Sequence, residues 1–532
     1  MNHIRVNILT MNKINILSII IILSLACCKC EYKAGKKNQS YYIDSRTGND
    51  SKSGTSPGKA WKSLQRISQQ KLNPGNQIYL SGNSHFKGSL RLTNLEGTKE
   101  LPVIISSFGK GQAIIESGDS VAILAQNCKY LKIKNIQVSG SGRLNGNRAN
   151  GIELVNCKFS EIDSVTASGY LYSGIRITGG NDIRITNSYA YNNGFCGINV
   201  ESGATEQGSD GSAYKIMKRL YIGYCIAENN PGCPAIKNNH SGNGILIGGV
   251  TNGLIEYCEA MNNGWDMPRE GNGPVGIWAY MCDSITIQHC YSHHNKTSPK
   301  GKDGGGFDFD GGMRYSVMQY NLSAFNEGAG YGIFQYGGAG EWSGNVVRYN
   351  ISYNDGSKNG QCGILVWCDP AATPMTNFHA YNNTIVNNYA YGVNFEPGAY
   401  KDFLFENNII QVTAATEKFI GGNFTRAVFE RDLYWSNFNA ANGTHQPMLD
   451  LDKNALYSNP KLILPSDSIL LENSLYTPDL KYFHLQDGSI CIKAGNKIAD
   501  NGGFDFWKNS LLPETNPNIG AWQGSSIGFE IK

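Results

Sequence analysis

A repeated strand motif is the feature that most constrains the fold of this chain. Its copies consist of a glycine followed by alternating apolar residues: GIELV at 151, GIRIT at 174, GINVE at 197, GILIG at 244, GIWAY at 276, GFDFD at 306, GIFQY at 332, GILVW at 363 and GVNFE at 392. Most copies lie 23 to 32 residues apart, and the step of 47 residues from 197 to 244 indicates an inserted loop. Because strands this short cannot bury an apolar face alone, we expect successive units to stack into a solenoid.

A second repeated element narrows the type of solenoid. Equivalent positions are taken by Cys225, Cys258, Cys290, Asn321 and Asn350, at steps of 33, 32, 31 and 29 residues, and each unit ends in an Asn/Gly turn. Short strands, polar corners and no helical period favour an all-β parallel β-helix over leucine-rich or helical repeats. In such a fold these five residues form an internal stack about 4.8 Å apart. The cysteines are therefore predicted to be buried packing residues, with no ligand or redox role.

Composition excludes some classes of function. The 532 residues carry 46 Lys+Arg against 43 Asp+Glu, a formal charge of +3, which argues against a dedicated nucleic-acid binder. Only 17% of residues are charged, while 63 are glycine and 29 are tyrosine, as expected of a β-rich extracellular protein. After the first 28 residues, no stretch is apolar enough to span a membrane. We expect no nucleic-acid partner, and a monomer.

The N-terminal segment resembles an export signal. An apolar run over residues 15–28 follows a basic start and ends in SLACC, which resembles a bacterial lipobox with Cys27 as the lipidated residue and Cys28 as the alternative. Residues 1–27 are thus predicted to be a lipoprotein signal peptide and 28–40 a linker. The expected location is secreted, at the cell surface or in the periplasm, with membrane contact only through a lipid anchor in the outer membrane.

The segments that flank the repeat carry a family resemblance. YYIDSRTGNDSKSGTSPGKAWKSLQRI and LNPGNQIYLSG resemble an N-terminal cap, and YFHLQDGSICIKAGN, FDFWKN and NPNIGAW resemble a C-terminal closure. With the repeats, they resemble the right-handed parallel β-helix proteins of the pectate-lyase-like superfamily. The resemblance implies an N-terminal cap and first coils over 41–120 and a parallel β-helix core over 121–410. The last coils and an irregular C-terminal closure are expected over 411–532. The superfamily includes lyases, hydrolases, epimerases and binding proteins, so fold alone does not select the activity.

The copy GFDFD places two carboxylates on the solvent-facing side of a strand. Strand alternation predicts that Phe307 and Phe309 point inward, level with Ile277 and Ala279, and that Asp308 and Asp310 point outward. The same outward face is expected to carry aromatic and polar groups suited to a carbohydrate groove, so the expected partner is a polysaccharide substrate. These candidate substrate-binding residues are Trp278 and Tyr280 in the coil before, Phe334 and Tyr336 in the coil after, Trp367 beyond them, and Arg176 and Glu201 toward the N-terminus.

The aspartate pair supports a prediction of glycoside hydrolysis. Residues i and i+2 of a strand lie roughly 6.6 Å apart, near the lower end of the separation found in inverting glycosidases. Two carboxylates so close also split their pKa values, so that one acts as acid and the other as base. Asp308 and Asp310 are therefore the candidate catalytic residues.

Two further interpretations of the same residues remain open. Ca²⁺ prefers oxygen ligands, and Asp303, Asp308 and Asp310 with Asp266 or Glu270 would form a calcium site. The resemblance then implies a uronate lyase acting by β-elimination, with Lys302 or Lys300 as the base. The alternative outside enzymology is a glycan-binding solenoid in which the aspartates are structural.

Several weaker signals complete the list of candidates. GGFDF recurs at 502–506, where a structural role is more natural. A phosphate-binding P-loop is excluded because GxxxxGK[ST] does not occur. Secondary candidates for ligand or groove contacts are His293, His294, Glu341, Trp342 and Glu396.

Overall fold

The computed structural model describes residues 38–203, 217–413, 419–436, 451–452, 454–466 and 480–524. The chain divides into Met1–Gln39 and Ser40–Lys532, and the description below concerns the second unit. The predicted signal peptide, the predicted lipidation site Cys27 and nearly all of the predicted linker lie outside the described residues. In the described residues, no helix is long and apolar enough to cross a membrane.

Short strands form almost all of the regular structure, beside a 3₁₀ turn at Pro57–Lys59 and one helical turn, α1, at Gln65–Ser68. The first thirteen strands are β1 Ser40–Ile43, β2 Gln77–Ser81, β3 His85–Lys87, β4 Leu90–Thr93, β5 Val103–Phe108, β6 Ala113–Gly118, β7 Ile123–Gln126, β8 Leu131–Lys134, β9 Ile136–Gly140, β10 Ile152–Val155, β11 Lys158–Asp163, β12 Thr166–Ser168 and β13 Ser173–Thr178. The next thirteen are β14 Asn181–Thr186, β15 Tyr189–Tyr191, β16 Cys196–Glu201, β17 Met217–Gly223, β18 Ile226–Glu228, β19 Asn243–Gly248, β20 Val250–Glu256, β21 Glu259–Met261, β22 Val275–Tyr280, β23 Asp283–Gln288, β24 Tyr291–His293, β25 Gly305–Phe309 and β26 Val317–Gln319. The last thirteen are β27 Leu322–Ala324, β28 Tyr331–Gln335, β29 Val346–Arg348, β30 Ile351–Tyr353, β31 Ile364–Cys368, β32 Met375–Tyr381, β33 Thr384–Asn387, β34 Val393–Phe395, β35 Tyr400–Glu406, β36 Ile409–Val412, β37 Ile420–Gly422, β38 Ala427–Glu430 and β39 Leu433–Ser436.

The strands stack into three parallel sheets, and each coil contributes one strand to each sheet. Sheet 1 has fourteen strands from β1 to β38, sheet 2 has thirteen from β3 to β39, and sheet 3 has twelve from β4 to β37. Apart from β1 and β2, which pair directly, neighbours within a sheet are three strands apart in sequence, because a full coil separates them. The predicted all-β parallel β-helix is confirmed.

Residues with positive φ mark the corners between the sheets. Glycine is the most frequent of these residues, and asparagine is the most frequent among the others, as at Asn187, Asn192 and Asn229. Asparagine tolerates the left-handed region because its short polar side chain bonds locally. The expected Asn turns at the ends of units are therefore confirmed.

The interior of the coils is a stack of inward-facing side chains. Cys225, Cys258 and Cys290 are buried, and the amide N–H of Cys290 donates to Asn321 Oδ1 at 3.0 Å. From there Asn321 Nδ2 donates to Asn350 Oδ1 at 3.0 Å. The predicted internal column of cysteine and asparagine is confirmed, and its amides satisfy one another from coil to coil.

The outer face of sheet 3 changes along the helix. In β10 buried and half-buried residues alternate, whereas every residue of β19, β25 and β28 is buried. Loops that enter sheet 3 from sheet 2, such as 294–304 and 354–363, are long in this region. An outward-facing side chain on these central strands is therefore shielded from water on both sides of the sheet.

Candidate active site

The strand that carries the aspartates lies in the centre of sheet 3. In the pairing of β22 with β25, Phe307 lies opposite Ile277, Asp308 opposite Trp278, and Phe309 opposite Ala279. Phe307 and Phe309 are buried in the core, so the expected inward and outward directions are confirmed. Asp308 nevertheless has only 3% of its surface exposed, because loops cover this part of the sheet.

The coil that follows is displaced by two residues from the predicted register. Asp308 pairs with Gly332, not with Phe334 as the motif alignment implied. The reason is Tyr331, whose ring points inward and stacks on Phe307 with centroids 5.3 Å apart. Its hydroxyl donates to the carbonyl oxygens of Asn321 and Ile351, so the position that is isoleucine in other coils is tyrosine here.

This displacement places a glycine, Gly332, beside Asp308, where no side chain would fit. A Cβ at Gly332 would lie 3.1 Å from Asp308 Oδ1 and 2.7 Å from the ring of Phe334. Phe334 in turn pairs with Trp367 of β31, and their rings meet edge to face at 6.2 Å. The glycine thus makes room for the carboxylate at the base of an aromatic wall.

A cavity of about 180 Å³ lies over these strands. It brings together three of the predicted substrate-binding residues, Trp278, Phe334 and Trp367. It also contains the three aspartates in and beside β25, which are Asp303, Asp308 and Asp310. The other lining residues are His240, Gly271, Asn272, Gly273, Val275, Lys302, Gln361, Leu365 and Glu396.

Asp303 reaches the cavity from the loop before β25. Its φ of 59° lies in the left-handed region, and its Oδ2 accepts the N–H of Gly273 at 2.7 Å. The neighbouring Lys302 places Nζ 3.5 Å from Glu396 Oε2, which joins this loop to the coil of β34. The loop therefore holds a third carboxylate next to the strand pair.

The three carboxylates share a desolvated environment. Burial raises the pKa of Asp303 to about 6, against a smaller lowering by the N–H of Gly273. Burial raises the pKa of Asp310 to about 7, with the charge of Asp303 adding to the rise. The pKa of Asp308 is raised well above its ordinary value by burial, then by the charges of Asp310 and Asp303. Near neutral pH the group can therefore both hold and accept protons.

The hydrogen bonds of the strand aspartates differ. Asp310 Oδ1 accepts the N–H of Gly311 at 2.8 Å. Asp308 Oδ1 is buried and has no hydrogen-bond partner among the described residues. An unpaired buried oxygen is costly, and such atoms mark places where a ligand completes the hydrogen bonding.

Four predicted substrate-binding residues do not line the cavity. Tyr280 lies on β22 beyond Trp278, and Tyr336 follows β28, where a Cβ at Gly311 would lie 2.6 Å from its ring. Arg176 Nη2 lies 2.5 Å from Glu201 Oε2, so these two predicted residues pair with each other. Their roles as substrate contacts remain predictions.

The predicted calcium set is not assembled. Asp266 lies 2.7 Å from Arg143 Nη2 and does not line the cavity. Across the described part of the chain, no group of three or more His, Cys, Asp or Glu side chains is arranged to hold a metal ion. Ca²⁺ takes six to eight oxygen ligands. Asp303, Asp308 and Asp310 line the cavity without Asp266 or Glu270, so calcium binding by these three remains a prediction. Of the two predicted lyase bases, Lys302 lines the cavity, whereas Lys300 pairs with Glu270 at 3.2 Å and is exposed.

Three secondary candidates, Trp342, His293 and Glu341, lie away from the cavity. Trp342 is fully buried in the core and stacks on Phe403 at 6.0 Å, so the prediction that it lines the groove is wrong. His293 Nε2 contacts Glu259 Oε1 at 3.1 Å on sheet 2. Glu341 pairs with Arg314 at 3.5 Å, while Glu396 does line the cavity.

Sequence reasoning missed the contributions of the loops. His240 and Gln361 both line the cavity and both lie between strands, where no periodicity predicts direction. For His240 the sequence did contain a signal. The long step between the motif copies at 197 and 244 indicates a loop large enough to reach the face of the sheet.

Comparison with known proteins supports the architecture. No family model matches the chain. It is 22% identical over 481 residues to a lacto-N-biosidase of Bifidobacterium longum subsp. longum, covering 71% of this chain. It spans only 29% of the length of that relative.

Solved structures share the fold. A GH136 lacto-N-biosidase from Eubacterium ramulus is 17% identical, with a TM-score of 0.51 over 76% of this chain and 68% of that one. Pectate lyase Pel9A is 15% identical, with a TM-score of 0.49 over 91% of this chain and 96% of that one. At 17% identity the similarity to the Eubacterium ramulus structure concerns the fold alone. Together with the three parallel sheets, it confirms the predicted resemblance to parallel β-helix proteins at that level.

Proposed function

We propose that this protein is a carbohydrate-active enzyme, a glycoside hydrolase whose reaction takes place in the cavity over β22, β25 and β28. The observation that carries the proposal is the convergence of Asp303, Asp308 and Asp310, with raised pKa values, beneath aromatic walls. Hydrolysis of a glycosidic bond needs one protonated carboxyl and one carboxylate on the two sides of that bond. The similarity to lacto-N-biosidases supports the same reaction class.

Asp310 is proposed as the general acid. Its pKa of about 7 keeps the carboxyl protonated in a large fraction of molecules at neutral pH, and the side chain is only partly buried. A proton on Asp310 can therefore pass to the oxygen of the leaving group. The charge of Asp303, which raises the pKa of Asp310, helps to hold that proton.

Asp303 is proposed as the partner carboxylate, acting as base or nucleophile. Its pKa of about 6 leaves it ionised when Asp310 is still protonated, and one oxygen is held by the N–H of Gly273. Asp308, which the sequence predicts as the partner, is 3% exposed, and burial raises its pKa well above the ordinary value. These properties favour Asp308 as a neutral group that donates a hydrogen bond to a sugar hydroxyl.

The aromatic residues are proposed to bind the sugar. Trp278, Phe334 and Trp367 border the cavity above the carboxylates. The apolar face of a pyranose ring packs well against such side chains, and burial against them excludes water from the reaction.

The test is hydrolysis of a panel of glycosides by wild type and three variants, Asp303→Asn, Asp308→Asn and Asp310→Asn. The panel contains p-nitrophenyl lacto-N-bioside, p-nitrophenyl β-galactoside and p-nitrophenyl β-N-acetylglucosaminide, with polygalacturonate and alginate as lyase substrates. Asp402→Asn is the matched control, since that side chain is 57% exposed and lies on sheet 1. We expect release of p-nitrophenol by wild type and the control, and its loss in the Asp303 and Asp310 variants.

Other outcomes would replace the proposal. Loss in Asp308→Asn with full activity in Asp303→Asn would restore the pair predicted from the strand. Products with the absorbance of an unsaturated uronate, formed only without chelator, would identify a lyase, with Lys302 as the base. Binding of a glycan with no turnover of any panel member would identify a non-catalytic binding protein.

We further propose that the protein is exported and anchored by a lipid on Cys27, as the SLACC segment suggests. Labelling of cells with a fatty-acid analogue should mark the wild-type protein and leave Cys27→Ala unlabelled. Equal labelling of both would assign the lipid to another residue, and Cys28→Ala would test the alternative.

A further inference from the structure

His240 lies on the wall of the cavity, in the loop before β19. Its ring is held between two aromatic side chains, edge to face with Trp278 at 5.0 Å and tilted against Phe195 at 5.6 Å. Packing on two sides fixes the plane of the imidazole. The proposed mechanism gives this side chain no role.

The orientation of a neighbouring amide is determined by groups that can only donate. Asn243 is fully buried, and one end of its amide faces the backbone N–H of Val275 at 3.3 Å and Trp278 Nε1 at 3.1 Å. A backbone N–H and an indole N–H have no acceptor capacity, so the atom between them must be the oxygen, Oδ1. Its Nδ2 therefore points the other way, toward the carbonyl oxygen of Phe195 at 3.2 Å and His240 Nδ1 at 3.0 Å.

This amide in turn fixes the tautomer of His240. The NH₂ group of Asn243 only donates, so His240 Nδ1 must accept and carries no proton. The neutral imidazole then has its proton on Nε2. Burial lowers the pKa of His240 to about 4, and the charge of Arg269 lowers it further, which agrees with a ring that stays neutral.

The proton on Nε2 has no hydrogen-bond partner among the residues that the structure describes. Among the described residues, the hydrogen bonds of the His240 side chain are limited to that of Nδ1 with Asn243. The ring is thus a fixed donor on the wall of a cavity that also contains an unpaired buried oxygen of Asp308.

We propose that His240 is a specificity-determining residue that donates a hydrogen bond from Nε2 to an acceptor oxygen of the bound sugar. The identity of the ligand as a sugar rests on the proposed function, whereas the tautomer rests on the Asn243 network alone. A donor held in place by Trp278 and Asn243 loses little entropy when the ligand binds. It also selects against a ligand that lacks the matching oxygen, because its N–H would then be buried unpaired.

The tautomer is tested without any ligand. ¹⁵N NMR of imidazole-labelled protein distinguishes a protonated from an unprotonated ring nitrogen, and His240→Gln identifies the signal. We expect a neutral ring with the proton on Nε2 from pH 8 down to pH 5. In Asn243→Leu, which removes the donor to Nδ1, both tautomers should be populated. A proton on Nδ1, or a charged ring at pH 6, in the wild type would overturn the inference whatever the enzyme hydrolyses.

The role in binding is tested by kinetics on p-nitrophenyl lacto-N-bioside. His240→Leu should raise KM at least about tenfold and change kcat by less than about threefold, because the lost hydrogen bond concerns binding. His240→Gln, whose amide N–H₂ reaches the position of Nε2, should restore most of the affinity. His85→Leu is the control, since that histidine is exposed and pairs with Glu116 on another sheet.

The outcomes separate this inference from the proposed function. An unchanged KM in His240→Leu, with folding verified by circular dichroism, would refute the binding role even if the enzyme is a hydrolase. Equal losses in the Leu and Gln variants would reduce His240 to a packing residue and also refute it. If wild type hydrolyses none of the panel, the proposed function fails, and the inference is then decided by the NMR tautomer.

Discussion

The pentapeptide GGFDF occurs at residues 305–309 and again at 502–506. In the first copy it is strand β25, with Phe307 and Phe309 in the core. In the second copy Phe504 is 50% exposed and the segment is a turn in the C-terminal closure. Identical local sequences thus adopt different structures, because the first copy lies within a stack of coils that pairs it on both sides and the second does not.

The two aspartates of these copies differ most in their hydrogen bonds. Asp505 Oδ1 accepts the N–H groups of Trp507 at 2.9 Å and Asn509 at 2.7 Å. Its Oδ2 accepts Asn509 Nδ2 at 2.8 Å and the N–H of Gln523 at 2.6 Å. Asp308 Oδ1, by contrast, has no partner among the described residues. A carboxylate with four donors stabilises a fold, whereas one left unpaired in a cavity is available to a ligand.

The largest effect should separate Asp303 and Asp310, which flank the first copy, from the aspartate of the second copy by activity. Asp310→Asn and Asp303→Asn should each lower kcat/KM about 10³-fold, since each removes a group that transfers a proton or forms a bond in the reaction. Asp505→Asn should leave kcat/KM per folded molecule within about twofold of wild type, because the residue touches only the closure. The measurement is initial rate against glycoside concentration, with the folded fraction determined for each variant.

A residual activity above a tenth of wild type in Asp310→Asn would contradict the role of that residue. A loss in Asp505→Asn as large as in Asp310→Asn would remove the distinction between a site copy and a structural copy.

The next effect should separate the copies by stability. Asp505→Ala removes the acceptor of four hydrogen bonds and should lower the free energy of unfolding by about 3 kcal/mol. Asp308→Asn should change it by less than about 1 kcal/mol, because Asn has the shape of the protonated carboxyl and Asp308 Oδ1 has no donor to lose. Urea unfolding followed by tryptophan fluorescence checks both values, and a larger loss in Asp308→Asn would reverse their assignment.

The glycines of the two copies should differ in a third way. A Cβ at Gly306 would lie 2.2 Å from Ser323 Oγ and 2.9 Å from Asn326 Nδ2, so Gly306→Ala should cost about 2 kcal/mol through overpacking. At Gly503 a Cβ would have no atom within 4 Å, but the φ of 79° disfavours alanine by about 1 kcal/mol. Thermal unfolding of both variants checks the order, which should invert if Gly306 lay at a loose corner.

The coil architecture could be predicted from the sequence because every repeat unit contains the same pattern of alternating apolar residues. The alternation in GFDFD correctly assigned Phe307 and Phe309 to the core and Asp308 to the outer face. The predicted register of the next coil was wrong. Tyr331 takes the inward position opposite Phe307, so Gly332 and not Phe334 lies opposite Asp308. Tyr331 and Ile333 are both apolar and lie two positions apart, so either could be aligned with Phe307. An alignment of the motifs therefore cannot detect the shift.

The loops account for what the sequence could not predict about the site. Asp303 is held at the cavity by a left-handed φ and by a hydrogen bond from the N–H of Gly273. The period-2 alternation of apolar residues predicts neither of these features. Asp266 was predicted as a calcium ligand but pairs with Arg143, which lies 123 residues earlier in the chain. Contacts between segments so distant in sequence are decided by how the coils stack, and single-chain patterns contain no signal for them.

The smallest effect concerns the pH dependence of kcat/KM, which we expect to follow the ionisation of Asp303 and Asp310 beside the first copy. Asp303 must be ionised and Asp310 protonated, so kcat/KM should rise with pH through about 6, the pKa of Asp303, and fall through about 7, the pKa of Asp310. The charge of Glu396 raises the pKa of Asp303 and that of Lys302 lowers it. Glu396→Gln should therefore move the acid limb to lower pH, and Lys302→Met should move it to higher pH.

The second copy supplies the control for these shifts. Burial raises the pKa of Asp505 as well, yet Asp505→Asn should move neither limb, because its titration alters stability and not the reaction. Rate profiles from pH 4.5 to 9 for the three variants and wild type decide the point. Displacement of the acid limb by Asp505→Asn, or movement in the same direction for Glu396→Gln and Lys302→Met, would show that the limb reports unfolding and not the ionisation of Asp303.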